Sequence, residues 1–383
     1  MTTDTLPPGV EYISLETGDP APQFSQRGLS GHFNLGNLGG GFIVLAFFLT
    51  SSMGVGQAVL DIIAQRKRIF DGEKIRFIGI TLDPKDETRL SDAPGFQTVL
   101  DSDGKVARRY GVIPSKAPPG TTTIQFRPRL IVLDPRLRVT ANIELKTDGS
   151  DAQRIIADIE ALPALAAAEP PLFAPVLIVP RVFPPEFCRQ LIAGFEAQER
   201  PETGVVSQTS AEGSTVVIDR DFKRRRDHTI TDPALIDTFK AMIKRRLLPE
   251  IAKAFQFQVT HIERHVISRY SAQEKGHFRA HRDNNSSATR YRRFATSINL
   301  NSEYEGGTLR FPEFGPQTFK PPVGGAVVFS CSLLHAVSEV TQGQRYAYLP
   351  FFYDDAAAKL VEESRAAWSH AAMDPTAHGL TRI

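Results

Sequence analysis

A segment rich in proline and alanine divides the chain near its middle and limits how the polypeptide can fold. Its prolines occur at positions 163, 170, 171, 175 and 180. Proline fixes φ and lacks a backbone N–H, so neither a continuous helix nor a central strand can run through this segment. We therefore predict a linker over residues 162–174, an N-terminal domain over 1–161, a C-terminal domain over 175–355 and a tail over 356–383, a division that suits 383 residues.

The N-terminal half alternates apolar strands with helical patterns. FIVLAFFL at 42–49 predicts a strand buried on both faces, and GQAVLDIIAQRKRIF at 56–70 places its apolar residues at helical spacing. RFIGITLD at 76–83 predicts a second strand, residues 130–145 a hairpin, and residues 151–162 a closing helix. This strand–helix–strand order predicts an α/β layer fold.

The C-terminal half begins with helices and continues as short strands. Residues 184–198 and 232–255 have amphipathic helical patterns. Short strands separated by turns follow at 262–270, 294–301, 307–311, 325–330 and 345–353. Regularly spaced short strands predict a mainly-β sandwich, barrel or jelly roll with flanking helices.

Composition excludes several classes of function. The two cysteines, Cys188 and Cys331, cannot form a disulfide framework or a cysteine-based zinc finger, and they suit a reducing compartment. A net charge of +2 predicts no broad attraction to nucleic acid, and we interpret the basic runs at 223–226 and 290–293 as solvated surface. The longest apolar run, 41–49, is too short to cross a bilayer, and the N-terminus lacks a signal-peptide pattern. We expect a cytoplasmic protein with neither nucleic-acid nor membrane partners.

The stretch HFRAHRDNN at 277–285 is the strongest candidate for a metal site. His281 and Asp283 have i, i+2 spacing, which on a strand would point both side chains to one side. His335, after the strand at 325–330, could supply a third ligand, and two histidines with one carboxylate suit non-haem iron(II). The alternatives are a solvated polar loop for the first pair and a satisfied core histidine for His335.

An arginine opens the apolar strand RYAYLPFF at 345–352. A guanidinium inside a β-structure needs an anionic partner, because an unpaired buried charge is costly. A bidentate carboxylate is the natural partner for Arg345.

Residues of about 15–160 resemble a peroxiredoxin of the thioredoxin superfamily. The motifs that carry the resemblance are GDPAPQF (18–24), VLAFF (44–48), IGITLD (78–83), YGVI (110–113) and LIVLDP (130–135). In that family a nucleophilic cysteine follows the VLAFF-like strand, whereas here Ser51, Ser52 and Met53 occupy the turn. A serine hydroxyl is a far poorer nucleophile at neutral pH. We expect a thioredoxin-like domain without thiol chemistry that acts as a scaffold, dimerisation surface or substrate-presenting module, with a small-ligand pocket as the alternative.

Residues of about 176–355 resemble the iron(II)/2-oxoglutarate-dependent dioxygenases, on the prolyl 4-hydroxylase-like branch. The motifs that carry this resemblance are VPRVFPPEFCRQLI, RY (269–270), HRDN (281–284), SINLN (297–301), YEGGTLRFPEFG (304–315), PPVGGAVVFSCSLLHAV (321–337) and TQGQRYAYLPFFYD (341–354). The resemblance implies a double-stranded β-helix (jelly roll) fold and iron(II) bound by His281, Asp283 and His335. It also implies that Arg345 pairs with the distal carboxylate of 2-oxoglutarate.

Other co-substrate contacts follow from the same resemblance. Tyr270 corresponds to the family's co-substrate tyrosine, with an ordinary half-buried strand tyrosine as the alternative. Asn299 stands where the family often has a tyrosine, and its amide is a candidate contact. Thr296 and Ser297 are nearby candidates of lower weight.

The remaining polar residues have modest predicted roles. We expect Asn284 to fix the Asp283 carboxylate and His277 to be structural or on the rim of the site. Arg226–Asp227 is interpreted as a surface ion pair, with a contact to substrate as the alternative. Neither a motif nor a role identifies His228, His261 or His265, and Cys331 is expected to be a small buried filler. Basic residues that could favour an acidic substrate, if they are not simply solvated, are Arg224, Arg225, Arg292 and Arg293.

The expected reaction is hydroxylation of an unactivated C–H bond in an amino acid, a prolyl peptide or a small metabolite. By resemblance it consumes dioxygen and 2-oxoglutarate, yields succinate and carbon dioxide, and could use ascorbate as a reductant. Related halogenases have a small non-ligating residue where Asp283 stands, so the aspartate favours hydroxylation. The alternative is a non-catalytic binding or scaffold protein made of a decayed redoxin and a degenerate oxygenase. A homodimer is an expectation by analogy with peroxiredoxin-like domains.

Overall fold

A computed structural model describes residues 10–116, 125–160, 172–197, 202–203, 205–208, 214–286, 288–366 and 381–382. The chain divides into two compact units between Leu172 and Phe173, with Pro312–Gly315 grouped with the first unit. Residues 162–171 of the predicted linker and most of the predicted tail lie outside the described part. None of the described helices combines the length and apolar character needed to cross a membrane.

The N-terminal unit is a seven-stranded sheet with helices. Its elements are β1 (Ser25–Gly28), β2 (Gly31–Asn34), β3 (Phe42–Phe48), α1 (Gly54–Gln65), β4 (Ile75–Thr81), α2 (Asp86–Arg89), β5 (Phe96–Leu100), α3 (Lys105–Arg109), β6 (Arg129–Leu133), β7 (Val139–Glu144) and α4 (Ala152–Glu160). The strand order is β2-β1-β5-β4-β3-β6-β7, in which β5, β4 and β3 are parallel and β6 and β7 antiparallel. This topology confirms the predicted thioredoxin-like fold.

Strand β3 shows why its sequence is apolar without alternation. Ile43, Leu45 and Phe47 pack into a core on one face of the sheet. Val44, Ala46 and Phe48 pack into a second core on the other face, together with apolar residues of α1 and α4. A strand covered on both faces needs apolar side chains at every position.

The C-terminal unit is mainly antiparallel sheet. Its elements are β8 (Leu177–Val179), α5 (Pro185–Glu196), β9 (Val205–Gln208), β10 (Ser214–Val217), β11 (Lys223–Arg224), β12 (Arg226–Thr229), α6 (Pro233–Arg246), α7 (Leu248–Phe255), β13 (His261–Glu263), β14 (Val266–Ser271), β15 (His277–His281), β16 (Phe294–Asn299), β17 (Tyr304–Gly306), β18 (Leu309–Arg310), β19 (Thr318–Phe319), β20 (Ala326–Ser330), β21 (His335–Val337), β22 (Val340–Tyr348), β23 (Phe351–Tyr353), α8 (Asp355–Ala366) and β24 (Thr381–Arg382). A five-stranded sheet has the order β11-β15-β21-β18-β19, and a ten-stranded sheet follows the path β12-β14-β22-β16-β23-β13-β24 with β8, β17 and β20 attached. The two sheets and the flanking helices confirm the predicted jelly-roll class.

One face of the ten-stranded sheet packs against the helices. Tyr346 and Tyr348 of β22 join a core formed with apolar residues of α5, α6 and α7. Because side chains alternate along a strand, Arg345 of β22 points to the opposite face. That face lies inside the jelly roll and carries the polar residues described below.

Two predicted elements are each divided in the structure. The single helix predicted over 232–255 is α6 followed by α7, because Pro249 in the first turn of α7 cannot continue the hydrogen bonding of α6. The strand predicted over 262–270 is β13 and β14, separated at Arg264, whose φ of 56° is outside the β region.

Candidate metal centre and co-substrate site

Strand pairing brings the two predicted histidine ligands together. His281 ends β15 and His335 begins β21, and the two residues are direct partners in this antiparallel pair. The register shifts between Phe278 and His281, and the Phe278 ring stacks on the His281 ring at 3.6 Å between centroids. Residues 54 positions apart in sequence (335 minus 281) therefore face the same point.

Asp283 completes the cluster from a turn. Its carboxylate oxygens lie 3.5 Å from Nε2 of His281 and 3.3 Å from Nε2 of His335. The three candidate ligand atoms all lie within 4.8 Å of one another. The prediction that His281 and Asp283 share a strand is wrong, because β15 ends at His281. A backbone hydrogen bond of 3.0 Å from Asp283 N–H to the carbonyl of Cys331 holds the turn instead.

Backbone carbonyls orient both imidazoles. Nδ1 of His281 lies 2.7 Å from the carbonyl oxygen of Arg279, and Nδ1 of His335 lies 3.0 Å from that of Leu333. A carbonyl only accepts hydrogen bonds, so each Nδ1 carries the proton and each Nε2 presents a lone pair. Fixing the tautomer through the outer nitrogen is the usual preparation of a histidine metal ligand.

The protonation states also suit metal binding. Burial, followed by the neighbouring His281, lowers the pKa of His335 to about 4, so this imidazole is neutral at neutral pH. Burial alone would raise the pKa of Asp283, but His335 and His281 outweigh it and bring that pKa below its usual range. A neutral imidazole and an ionised carboxylate are the forms that bind a metal. Two histidines and one carboxylate, without thiolate, fit iron(II).

A buried ion pair supports the turn that carries Asp283. Arg292 donates from Nε to Glu263 at 2.7 Å, and its Nη1 lies 3.4 Å from the carbonyl oxygen of Asp283. Its guanidinium also stacks over Phe351 at 4.0 Å. The interpretation of 290–293 as solvated surface is therefore wrong for Arg292, which cannot contact an acidic substrate from the surface. The Asn284 amide donates to Ser332 Oγ at 2.8 Å rather than to the Asp283 carboxylate.

Arg345 is buried, with donors left unpaired. Only 2% of the residue is exposed, and its Nη2 donates to Ser297 Oγ at 2.8 Å. Nε and Nη1 are buried without a hydrogen-bond partner, and no other arginine in the described part leaves two such atoms unpaired. A buried cation with two free donors is a receptor for a carboxylate.

Tyr270 lies directly beside Arg345. The two residues are cross-strand partners on β14 and β22, and Cζ of Arg345 lies 5.4 Å from the centre of the Tyr270 ring. Tyr270 is fully buried, so the alternative of a half-buried strand tyrosine is wrong. Its hydroxyl accepts a hydrogen bond of 3.1 Å from Nη1 of Arg225.

Asn299 is engaged within the protein. Its Nδ2 donates to the carbonyls of Asn301 at 2.7 Å and Pro321 at 3.1 Å, and its Oδ1 accepts from the Tyr304 hydroxyl at 2.9 Å. An amide NH₂ has two donors, and both are occupied. The expected contact from Asn299 to a co-substrate is therefore corrected to a structural role. Thr296 alternates with Ser297 along β16 and so points to the opposite face from it.

The other histidines have structural contacts. His277 bridges the carbonyls of Lys275 and Asp221 at 2.8 and 3.1 Å, and Nδ1 of His265 lies 2.6 Å from the Tyr348 hydroxyl. His261 stacks on Tyr353. Cys331 is buried, and burial followed by the Asp283 charge raises the pKa of its thiol well above the ordinary value.

The segment 223–227 contains buried charged residues that the sequence analysis did not predict. Lys223, Arg225 and Asp227 are buried, whereas Arg224 and Arg226 are partly exposed. Asp227 pairs with Arg225 at 2.9 Å rather than with Arg226, so the predicted surface ion pair is wrong. The signal was present as opposite charges two residues apart, a spacing that in extended backbone puts both side chains on one face, and Arg225 lies between β11 and β12.

In the N-terminal unit, hydroxyl and carboxylate groups fill the turn where the peroxiredoxin cysteine would stand. Asp86 accepts hydrogen bonds from Ser51 N–H at 2.8 Å, Ser51 Oγ at 2.5 Å and Thr81 Oγ1 at 2.6 Å. Arg89 donates to Asp83 at 2.8 Å and to Asp86 at 3.3 Å. The groups of this turn satisfy one another.

Comparisons with known proteins agree with this division. A model of the 2OG-Fe(II) oxygenase superfamily matches residues 265–353, and a model of the AhpC/TSA family matches residues 17–141. The chain is 54% identical over 46 residues to a PKHD-type hydroxylase of Shewanella frigidimarina, covering 12% of this chain and 20% of the relative. It is 33% identical over 108 residues to a PKHD-type hydroxylase of Verminephrobacter eiseniae, covering 26% of this chain and 46% of the relative.

The chain spans less than half the length of these two relatives. A prolyl-4-hydroxylase structure from Pseudomonas putida aligns with 18% identity and a TM-score of 0.36, covering 47% of this chain and 92% of that one. The chain contains a 2OG-Fe(II) oxygenase domain and an AhpC/TSA domain.

Proposed function

We propose that the C-terminal domain is an iron(II)- and 2-oxoglutarate-dependent hydroxylase acting on an unactivated C–H bond. Amino acids, prolyl peptides and small metabolites are the substrate classes we would test. The observation that carries the proposal is a prepared His–Asp–His cluster in the same interior as an arginine with two unpaired buried donors. The superfamily match over residues 265–353, which includes all four residues, supports it.

Side-chain contacts connect the cluster to the arginine. The Phe278 ring stacks on His281 and lies 5.5 Å from Cζ of Arg225. Arg225 donates to the Tyr270 hydroxyl, and the Tyr270 ring lies beneath Arg345. This series of contacts runs between the two sheets, so both parts of the site belong to one interior.

Each residue then has a defined task. His281, Asp283 and His335 would hold iron(II), and Arg345 would anchor the distal carboxylate of 2-oxoglutarate through Nε and Nη1. The bound metal and co-substrate supply oxidative decarboxylation with dioxygen, which yields succinate and carbon dioxide and hydroxylates the substrate. Ser297 holds the third guanidinium nitrogen and so sets the direction of the other two.

Aromatic rings lie close to both candidate histidine ligands. Phe329 lies 4.6 Å from His335 between ring centres, and Phe311 lies 6.3 Å from it. Phe222 lies 6.3 Å from His281. Apolar surroundings strengthen the ion pairs that hold the carboxylate groups of a co-substrate.

For the N-terminal domain we propose a non-catalytic role as a scaffold or substrate-presenting module. The support is the turn at 49–57, which lacks cysteine, and the engagement of Ser51 with Asp86. A homodimer formed through this domain remains a proposal by analogy.

Succinate formation tests the proposed reaction. The full chain is incubated with iron(II), 2-oxoglutarate, ascorbate and dioxygen, and candidate substrates are screened for increased succinate. We expect substrate-dependent turnover in the wild type and none after His281→Ala or Asp283→Ala, with His277→Ala as the matched control on the same strand. If the wild type forms no succinate and binds neither iron(II) nor 2-oxoglutarate, the proposed reaction is wrong and the result favours the non-catalytic scaffold alternative.

A further inference from the structure

A buried ion pair lies beside Tyr270, outside the metal ligands and the co-substrate anchor. Arg225 contacts Asp227 through Nε at 2.9 Å and through Nη2 at 3.1 Å, a bidentate arrangement. Both residues are buried, at 5% and 7% exposure. Asp227 also accepts hydrogen bonds from Thr203 at 2.7 Å and from Ser268. The carboxylate is thus fixed from several sides, and it fixes the guanidinium in turn.

The third guanidinium nitrogen determines how the Tyr270 hydroxyl is oriented. Nη1 of Arg225 lies 3.1 Å from that hydroxyl. Arginine has only donors, so the Tyr270 oxygen must accept this bond, and the phenolic proton must point elsewhere. Among the described residues no group accepts that proton. Tyr270 therefore has one free donor, beside the two free donors of Arg345.

We propose that Arg225 and Asp227 are positioning residues for the co-substrate. They hold the Tyr270 hydroxyl so that its proton is donated to the distal carboxylate of 2-oxoglutarate bound at Arg345. This inference rests on the proposed function and deepens it, because it assigns the fixed donor geometry to a pair that touches neither metal nor co-substrate. The ring of Tyr270, beneath the Arg345 guanidinium, places the three donors on one face of the sheet.

The proposal predicts that changing Arg225 and Asp227 reduces the preference for 2-oxoglutarate over 2-oxobutyrate and does not weaken the binding of both acids alike. 2-Oxobutyrate has the same 2-oxo acid group as 2-oxoglutarate but no distal carboxylate. It would bind through the metal alone, so its affinity should not depend on Tyr270 or Arg225. The affinity ratio of the two acids therefore reports the distal carboxylate site separately from the metal site.

The experiment measures the dissociation constants of both acids for the full chain loaded with Mn²⁺, by isothermal titration calorimetry. The main variant is Arg225→Gln with Asp227→Asn, which removes the two opposite charges of the pair together; Lys223, whose Nζ lies 3.7 Å from Asp227, keeps its charge. We expect about tenfold weaker binding of 2-oxoglutarate, as is typical for outer partners of a site, and unchanged binding of 2-oxobutyrate. The matched control is Arg226→Gln, which alters the adjacent arginine, paired with Glu274, and should change neither constant.

A variant series tests whether Arg225 acts through Tyr270. Adding Arg225→Gln and Asp227→Asn to Tyr270→Phe should weaken 2-oxoglutarate binding no further, because coupled residues are not additive. Arg225→Lys keeps the buried charge but not the forked guanidinium geometry, and it should show the same reduced preference for 2-oxoglutarate over 2-oxobutyrate. This single variant tests the proposal even if the double variant fails to fold.

Two results would overturn the inference while leaving the proposed function intact: equal weakening of both acids in the double variant, or full additivity with Tyr270→Phe. Wild-type protein that shows no preference for 2-oxoglutarate over 2-oxobutyrate would overturn the proposed co-substrate and this inference with it.

Discussion

The same substitution at two buried arginines should have opposite effects on stability. Nε and Nη1 of Arg345 are unpaired, whereas Arg292 pairs with the buried carboxylate of Glu263. In the ligand-free protein, Arg345→Met removes two buried unpaired donors that cost about 1–3 kcal/mol each, and it loses one hydrogen bond of about 1 kcal/mol to Ser297. We expect the free energy of unfolding to rise by roughly 1–5 kcal/mol.

Binding should change in the other direction. Two charge-assisted hydrogen bonds to a carboxylate contribute about 1.5–3 kcal/mol each. At about 1.4 kcal/mol per factor of ten, Arg345→Met should weaken 2-oxoglutarate binding by about 10²- to 10⁴-fold. The variant should therefore be more stable and yet unable to use the co-substrate.

Differential scanning calorimetry of the full chain without metal or 2-oxoglutarate measures the stability, and titration calorimetry with Mn²⁺ measures binding. The matched variant Arg292→Met leaves the buried Glu263 carboxylate charged and without its guanidinium partner, and it should lose about 3–5 kcal/mol. For a domain of this size each kcal/mol shifts the midpoint by about 2–4 °C. If Arg345→Met lowers the midpoint as Arg292→Met does, the guanidinium has a partner within the protein and the reasoning fails.

Three further predictions concern other parts of the chain. Burial lowers the pKa of His265 from 6.5 to about 4, so between these pH values the unfolded state binds more protons than the folded state, and the free energy of unfolding should fall as pH drops. His265→Gln should reduce this pH dependence in a calorimetric series, and an unchanged slope of stability against pH would contradict the lowered pKa of His265. Asp86→Ala removes the acceptor for Ser51 and Thr81 and should lower the stability of the N-terminal unit by about 2–4 kcal/mol in chemical denaturation, while the C-terminal unit unfolds as before. The protein should show no thiol-dependent peroxide consumption in a coupled peroxidase assay. A clear rate that persists after replacement of both Cys188 and Cys331 would contradict the argument that peroxide reduction requires a cysteine thiolate.

Patterns with chemical contrast predicted the fold and the convergence of His281, Asp283 and His335. The apolar run of β3 could be identified because burial on both faces removes every polar residue from a strand. The ligand types of the cluster could be identified because imidazole and carboxylate are rare inside an apolar β-structure. Arg345 was recognisable for the same reason, since a charge in an apolar strand requires an anionic partner.

Segments in which buried and exposed residues have similar polarity were predicted less well. In KRRRDH at 223–228, burial alternates from one residue to the next, but a polar or charged residue at every position hides that alternation from hydropathy. Arg292 was misplaced because its partner, Glu263, lies 29 residues away and nothing local indicates the pair. The position of Asp283 in a turn depends on a backbone bond to Cys331, a contact that only the assembled sheet creates.

The two domains differ more clearly in whether their polar groups have hydrogen-bond partners than in the missing cysteine. In the N-terminal turn, Nη1 of Arg89 lies within hydrogen-bond distance of Asp83, Asp86 and the hydroxyls of Thr50 and Ser52. In the C-terminal interior, Nε and Nη1 of Arg345 are unpaired, and the Nε2 atoms of His281 and His335 are directed at a carboxylate rather than at donors. Folding alone favours the hydrogen-bonded groups of the N-terminal turn and disfavours the unpaired groups of the C-terminal interior, because unpaired buried groups cost free energy. We expect a fold to keep unpaired buried groups where a ligand binds and to pair them where none does, which supports our proposal that the chemistry of this chain belongs to the C-terminal domain.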